Sequence, residues 1–437
     1  MMRLKQLTLG GLLVAGALPA AAQRPAPQTV FTDDVDRFWQ AYDSVRSTAE
    51  PARQVAAMNR LYVAKGSEGL RAFMKARGYS AEEWVRQINQ YPKFWDSVRP
   101  NTLSVKTKTA EIERSVQRLR RLYPELRDGK MYFTVGGMRS GGTVDGNLVL
   151  IGTEIATGTA QTDVSELPGK WLATVFAQQR LDNVVALNVH EYVHTQQRSE
   201  GATLLAEALR EGACDFVAEL ATGQPEQSAY STYGRAHEPE LRTAFKQEMF
   251  GADTRRWLYN GTKAATVADL GYYMGYAIHK AYYQRAKNKR QAVKDIIELD
   301  YTDAAAVDAF LTMSGYYPEG WDKAALLTAL DARRPVLLQV LPFANGATTV
   351  DAALTELVLR FDRAMSPTGM AFEPTARGKE FFPLKKPLGF SPDGQRFTLQ
   401  VELQPNHEYE FVVSPRGFVS QDGFPLREAY TVRFKTR

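Results

Sequence analysis

The 437-residue chain has five histidines, and two of them stand four residues apart with a glutamate directly after the first: His190-Glu191-Tyr192-Val193-His194. On a helix, residues four apart share a face about one turn along. His190 and His194 therefore aim two imidazoles at a common point, which suits a divalent zinc ion bound by neutral nitrogens at about 2 Å. Glu191 can reach a water on an open metal position, accept its proton and later deliver it to a leaving amine. The apolar residues Val184, Val185, Leu187 and Val189 just upstream favour a helix that starts buried.

A second strongly helical run, residues 204–220, carries Glu211 and Asp215. Glu211 lies 17 residues after His194, enough chain for a turn and an antiparallel return helix. It is the candidate third ligand, with Glu207 in reserve. Asp215, one turn on, can accept the outer N–H of a ligand histidine and fix its tautomer. The competing reading is a solvated acidic stripe, because Glu207, Glu211, Asp215 and Glu219 recur every four residues. Gly212 and Ala213 argue against it, since small residues permit close helix packing. Cys214, the one cysteine, sits between the two candidates; it is either a thiolate ligand or a small buried packing residue. A lone cysteine excludes an intrachain disulfide.

Together H-E-Y-V-H and the later R-E-G-A-C-D-F resemble the gluzincin class of zinc metallopeptidases, most of all a group of bacterial zinc-dependent peptidases with an E-G-x-x-D-F segment. The resemblance runs from about Phe38 to about Arg333. It implies one zinc per chain at His190, His194 and Glu211, Glu191 as general base, and a peptide or protein as substrate. The interval between His194 and Glu211 is shorter than in the better-known gluzincins, which leaves the third ligand open between Glu211 and Glu207.

Further along, residues 266–299 read as helical, with Tyr272, Tyr276, His279 and Tyr283 on one face. A phenol near the metal could steady the oxyanion of a tetrahedral intermediate. Tyr272 is the first candidate, followed by Tyr276 and then His279; an aromatic packing stripe is the alternative. The resembling family has a similar G-Y-x-x-G segment.

The elements that must position these residues follow from the patterning. Residues 1–22 have the form of an export leader: Arg3 and Lys5, an apolar stretch from Leu7 to Leu18, then Ala20-Ala21-Ala22. Its removal takes the formal charge from +5 to +3, too mild a basicity for a nucleic-acid partner. The stretch is too short for a comfortable span and no other approaches one, so no stable membrane insertion is expected. The location expected is periplasmic or extracellular.

Residues 23–125 read as an N-terminal helical region, and residues 126–333 as a zincin-like catalytic core. Within the core, residues 131–135 and 147–151 read as strands around a glycine-rich loop, Gly136 to Gly146. The loop lacks the G-K-[S/T] ending of a phosphate site. Residues 147–151 are either an edge strand that pairs with extended substrate, as the resemblance implies, or an interior strand.

Beyond Arg333-Arg334-Pro335, five short strands are expected at 336–340, 356–361, 396–402, 408–413 and 430–434. Leu341-Pro342 with Asn345-Gly346-Ala347, Leu359-Arg360-Phe361-Asp362 with Met365, and Leu403-Gln404-Pro405-Asn406 with Tyr409 resemble bacterial Ig-like domains over residues 335–437. The expected fold class is α+β: a mostly helical zincin-like domain with a small sheet, followed by an all-β Ig-like sandwich. The expected function is that of an exported zinc peptidase. The alternative is a non-catalytic surface-binding or adhesion protein with structural zinc; a glutamate between the histidines has no use there.

Overall fold

A computed structural model describes residues 28–261 and 267–437; the leader expected at 1–22 lies outside them. The described chain begins with strand β1 (Val30–Phe31). Five helices follow: α1 (Asp33–Arg46), α2 (Pro51–Met58), α3 (Glu68–Arg77), α4 (Ala81–Gln90) and α5 (Pro92–Leu122). Next come strands β2 (Lys130–Thr134), β3 (Gly142–Asp145) and β4 (Leu148–Gly152). The helices that carry the chemistry come after these: α6 (Thr153–Ala156), α7 (Trp171–Gln178), α8 (Val184–His194), α9 (Leu204–Thr222), α10 (Ala229–Ala236), α11 (Glu238–Glu248) and α12 (Leu270–Arg285). Helices α13 (Lys289–Ile297), α14 (Ala304–Ser314) and α15 (Lys323–Arg333) complete the helical part. Seven strands end the chain: β5 (Leu337–Leu341), β6 (Glu356–Phe361), β7 (Phe372–Pro374), β8 (Leu384–Phe390), β9 (Arg396–Val401), β10 (Glu408–Val413) and β11 (Tyr430–Lys435). The fold is mixed α+β.

Two hydrophobic cores result. One joins the helices to the first sheet. The other lies between the two C-terminal sheets, ordered β5-β6-β9-β8 and β11-β10-β7. In β6 and β9 alternate residues point inward, so Leu357, Leu359, Phe361, Phe397, Leu399 and Val401 meet Phe411, Val413, Val432 and Phe434 of the other sheet. Each such side chain removed from water stabilises the fold by about 1.5–3 kcal/mol. Strands β7 and β8 were not legible in the sequence. β8 is an outer strand with two register shifts, and its central residues are exposed, so it carries no alternation. Where the two cores meet, the Arg333 and Arg256 guanidiniums lie 4.1 Å and 4.5 Å from the Phe424 ring centre.

The first sheet has the order β1-β2-β4-β3. β4 is therefore interior: it pairs parallel with β2 on one side and antiparallel with β3 on the other. An edge role for residues 147–151 is ruled out, because both rows of their main-chain groups are already spent. The edge strands are β1 and β3, and β3, Gly-Thr-Val-Asp, is drawn from the stretch that reads as a glycine-rich loop. Four residues without an apolar alternation give a sequence pattern nothing to register.

The remainder of that loop is held by Glu154. Its carboxylate accepts from the Gly136 N–H at 2.7 Å and the Met138 N–H at 3.0 Å, and the side chain is fully buried. Burial pushes its pKa up to about 7, against the opposing pull of those two N–H groups. Between its ordinary value of 4.5 and about 7, the folded chain keeps a proton that the unfolded chain has lost. Stability should therefore fall as pH rises through this window, by up to about 3 kcal/mol, and level off above it. Urea midpoints at pH 5 and pH 7.5 check this. Glu154→Gln should lose most of the difference, and an unchanged difference in that variant would assign it to other groups.

Helix α8 contains Val184, Val185, Val189 and Val193, and β-branched residues are indifferent helix formers. It depends on burial, lying against α5, α9 and the edge strand β3. The Tyr192 hydroxyl anchors it by accepting from the Gly129 N–H at 2.9 Å. Helix α9 is fixed at both ends. The Thr203 side chain accepts from the Ala206 N–H, and Gly223 closes the other end in the left-handed conformation, φ 75°. Helices α9 and α12 meet backbone to backbone at Gly212 and Gly275. A Cβ on Gly275 would run into the Ala208 carbonyl, and one on Gly212 into the Tyr276 N–H. This crossing sets Tyr272 of α12 against His190 of α8, and Tyr276 against Phe216 and Glu219 of α9.

Candidate metal centre

Helices α8 and α9 bring three acceptor atoms to one point. The Nε2 atoms of His190 and His194 are 3.1 Å apart. Glu211 Oε2 lies 3.1 Å from His194 Nε2 and 3.5 Å from His190 Nε2. Donors spaced about 2.0–2.1 Å from a tetrahedral zinc are themselves about 3.3 Å apart. The outer edge of each ring is taken up by an acceptor: His190 Nδ1 by Asp215 Oδ1 at 2.7 Å, and His194 Nδ1 by Gln197 Oε1 at 2.7 Å. These acceptors favour a proton on each Nδ1, which turns both Nε2 lone pairs toward the carboxylate; Arg210 Nη1 also lies 3.3 Å from His194 Nδ1. Such a cluster needs a cation. Burial opposes a charged His190, but Asp215 and Glu211 outweigh it and hold its pKa well above the usual value. Burial likewise opposes an ionised Glu211, and the two imidazoles prevail. The donor set fits zinc.

Around this cluster the partners are specific. Glu211 Oε1 accepts from Arg210 Nη2 at 2.7 Å and from the Tyr259 hydroxyl at 2.8 Å. Asp215 Oδ2 accepts from the Tyr230 hydroxyl at 3.1 Å. Glu207, the reserve ligand, is occupied elsewhere, by the Gly201 N–H, Arg210 and Tyr259. Glu191 is half-buried. Among the described residues it makes no side-chain hydrogen bond or ion pair.

The two tyrosines singled out in the sequence part company. The Tyr272 ring stacks on His190, with centres 6.1 Å apart and planes at 22°, and burial pushes its phenol well above the ordinary value. The Tyr276 hydroxyl instead donates to Glu219 and meets Lys280 Nζ at 2.6 Å. Glu219 lies eight residues beyond Glu211, about 12 Å along α9, so the structure does not bring Tyr276 into the cluster. His279 is also elsewhere: buried, it donates from Nε2 to the Leu209 carbonyl at 2.8 Å, and its pKa is pushed down to about 4 by burial.

Cys214 Sγ approaches His194 at Nδ1, 3.4 Å away, and one ligand atom each from His190, His194 and Cys214 fall within 4.8 Å. This is a second possible donor set. On His194 the thiol faces Nδ1, the nitrogen that Gln197 already engages, and burial holds the thiol well above its ordinary pKa. Glu211 is the better placed donor.

Four residues of the centre went unseen in the sequence. Gln197 stands three after His194 and could have been found by helical spacing. Arg210 adjoins Glu211. Tyr230 and Tyr259 arrive from separate segments, Tyr259 with a left-handed φ of 55°, and had no sequence signal.

Residues 152–304 match a family model described as "Predicted Zn-dependent protease (DUF2268)". The match covers less than half of the chain and encloses α8, α9 and α12. No curated protein matches. Solved structures similar to the chain include the S-layer protein rSbsC(31-844), 13% identical over 93% of this chain and 45% of that one, with a TM-score of 0.17. Another is the N-terminal part of the bacterial S-layer protein SbsC, 14% identical over 89% and 79%, with a TM-score of 0.18. This chain thus spans under half the length of the first. TM-scores this low carry no argument about fold or function.

Proposed function

We propose that this chain is an exported zinc peptidase that cleaves peptide bonds with water. The observation that carries the reading is the convergence of His190 Nε2, His194 Nε2 and Glu211 Oε2, with Glu191 next to His190 in the chain and, among the described residues, without a side-chain hydrogen bond. When bound by those three residues, zinc supplies a Lewis acid for the scissile carbonyl and the attacking water. Glu191 takes the proton of the attacking water on its carboxylate and passes it to the leaving amine. Asp215 and Gln197 keep both imidazoles in the Nδ1–H form throughout. The Tyr272 phenol, stacked on His190 and without a hydrogen-bond partner among the described residues, is the first candidate to donate to the developing oxyanion. The free edge of β3, which lies against α8, offers main-chain groups to an extended substrate.

In this reading residues 1–22 direct export, residues 23–125 support a zincin-like core at 126–333, and residues 335–437 form an Ig-like sandwich. The two separate cores support the boundary near residue 335, while residues 30–317 share one of them. Among the described residues no helix is long and apolar enough to cross a membrane.

The test is elemental analysis combined with a quenched peptide library. One zinc per chain is expected, with hydrolysis that a chelator abolishes and zinc restores. Glu211→Ala should weaken zinc binding by at least about tenfold, whereas Cys214→Ala should leave it within a few-fold. The opposite order would move the third ligand to Cys214. Folded, zinc-loaded protein that leaves the library intact would favour the non-catalytic alternative.

A further inference from the structure

Helix α7 has apolar residues on two faces. Leu172 and Phe176 are buried in the core. Trp171 and Val175, also four apart, are not; they form one wall of a cavity of about 280 Å³. The opposite wall is the first turn of α8, with Val184 and Leu187, and the end is closed by Tyr230. Trp171 is 49% exposed and Leu187 39%, the kind of surface that folding normally covers. Val175 is partly buried against the core, whereas Trp171 and Leu187 are left to solvent.

The cavity borders the metal cluster through two shared residues: Leu187 and Tyr230 also line a small cleft with His190 and Asp215. Leu187 precedes Glu191 by four residues and so lies on the same face of α8, one turn back. Tyr230 is shared: its hydroxyl donates to Asp215, and its ring lies 5.3 Å from Tyr272, which stacks on His190. Among the described residues, the charged groups that line the cavity are Arg180, paired with Asp182, and Asp269, which accepts from the Asn260 N–H. The volume falls just below the usual ~300–1,000 Å³ of small-molecule sites, which is room for one large side chain rather than a run of peptide.

We infer that this cavity is a specificity pocket for a large apolar or aromatic side chain next to the scissile bond. The inference rests on the peptidase reading for its ligand, but the occupant's chemistry comes from the walls. An apolar residue entering would cover Trp171 and Leu187. A charged one would give up its water against Trp171, Val175, Val184 and Leu187, none of which can replace it.

Two measurements test it. In a peptide series varied at each position, replacing phenylalanine by glycine or aspartate at one residue flanking the cut should lower kcat/KM at least about tenfold. Val175→Trp, which fills the cavity, should reverse the order so that glycine or alanine is preferred. Trp171→Ala, which removes a wall without adding bulk, should reduce the preference if the filled variant does not fold. The second measurement needs no turnover. Trp171 is the exposed one of six tryptophans. A blocked pentapeptide with one phenylalanine among alanines should therefore shift the emission of zinc-loaded Glu191→Gln to the blue. The glycine counterpart, or the added Trp171→Phe change, should remove the shift. A flat preference in an active enzyme, an unchanged preference in both cavity variants, or an emission shift shared by the glycine peptide would overturn the pocket. If no peptide is cleaved at all, the peptidase reading fails, and the emission shift alone decides whether the cavity binds apolar side chains.

Discussion

Zinc-loaded Glu191→Gln is expected to retain one equivalent of metal and to hydrolyse peptide about 10³-fold more slowly than the parent chain. Glutamine keeps the size and reach of the side chain but cannot hold the transferred proton. General acid–base catalysis is worth about 10²–10⁴-fold, and Glu191 is asked to serve both halves of the exchange. A loss of 10³ corresponds to about 4 kcal/mol of transition-state stabilisation. The fold should not notice the change, since among the described residues Glu191 holds no other group in place. Zinc content, the thermal midpoint and kcat/KM on one peptide make the three measurements. Activity near the parental level in protein free of contaminating peptidase would remove Glu191 from the mechanism. Loss of zinc along with activity would make it a structural residue.

The second large effect is expected at a residue without a side chain. Gly275→Val should lower stability by about 3 kcal/mol or more and take zinc affinity down with it. The added carbons would fall on the Ala208 carbonyl, a backbone atom in the middle of α9 that no rotamer change can move aside. Helices α9 and α12 must separate, and α9 carries Glu211 and Asp215. Gly212→Ala attacks the same crossing from the other side, where the new methyl would meet the Tyr276 N–H. Urea unfolding and zinc titration of the two variants check the claim. If both variants are as stable as the parent, the helices are not in backbone contact. If stability falls while zinc affinity holds, the crossing supports the fold without positioning the ligands.

Much of this centre was legible because it obeys one period. His190 and His194, then Glu211 and Asp215, are each four residues apart on a helix, and that spacing survives any tertiary arrangement. It says nothing about which way a helix faces. Tyr272 and Tyr276 share a face in the sequence, yet the Gly212–Gly275 crossing sets the first against His190 and the second against Glu219. Tyr259 was beyond reach for another reason: it comes to Glu211 from 48 residues downstream, on a backbone turn that no side chain announces. In the sheets, strands buried on one face declared themselves by alternation. Strands β1, β3, β7 and β8, which are short or peripheral, did not.

One of those silent strands has a consequence for the chain at high concentration. The outer strand β8 presents Lys385, Lys386 and Pro387 to solvent, with the ladder to β9 interrupted on either side of them. A neighbour's backbone drawing alongside would meet two ammonium groups, a missing donor and a kinked line of carbonyls. Intermolecular ribbon growth, the route from a crowded solution to fibrils, is thus blocked along that flank by the same irregularity that hid the strand from view.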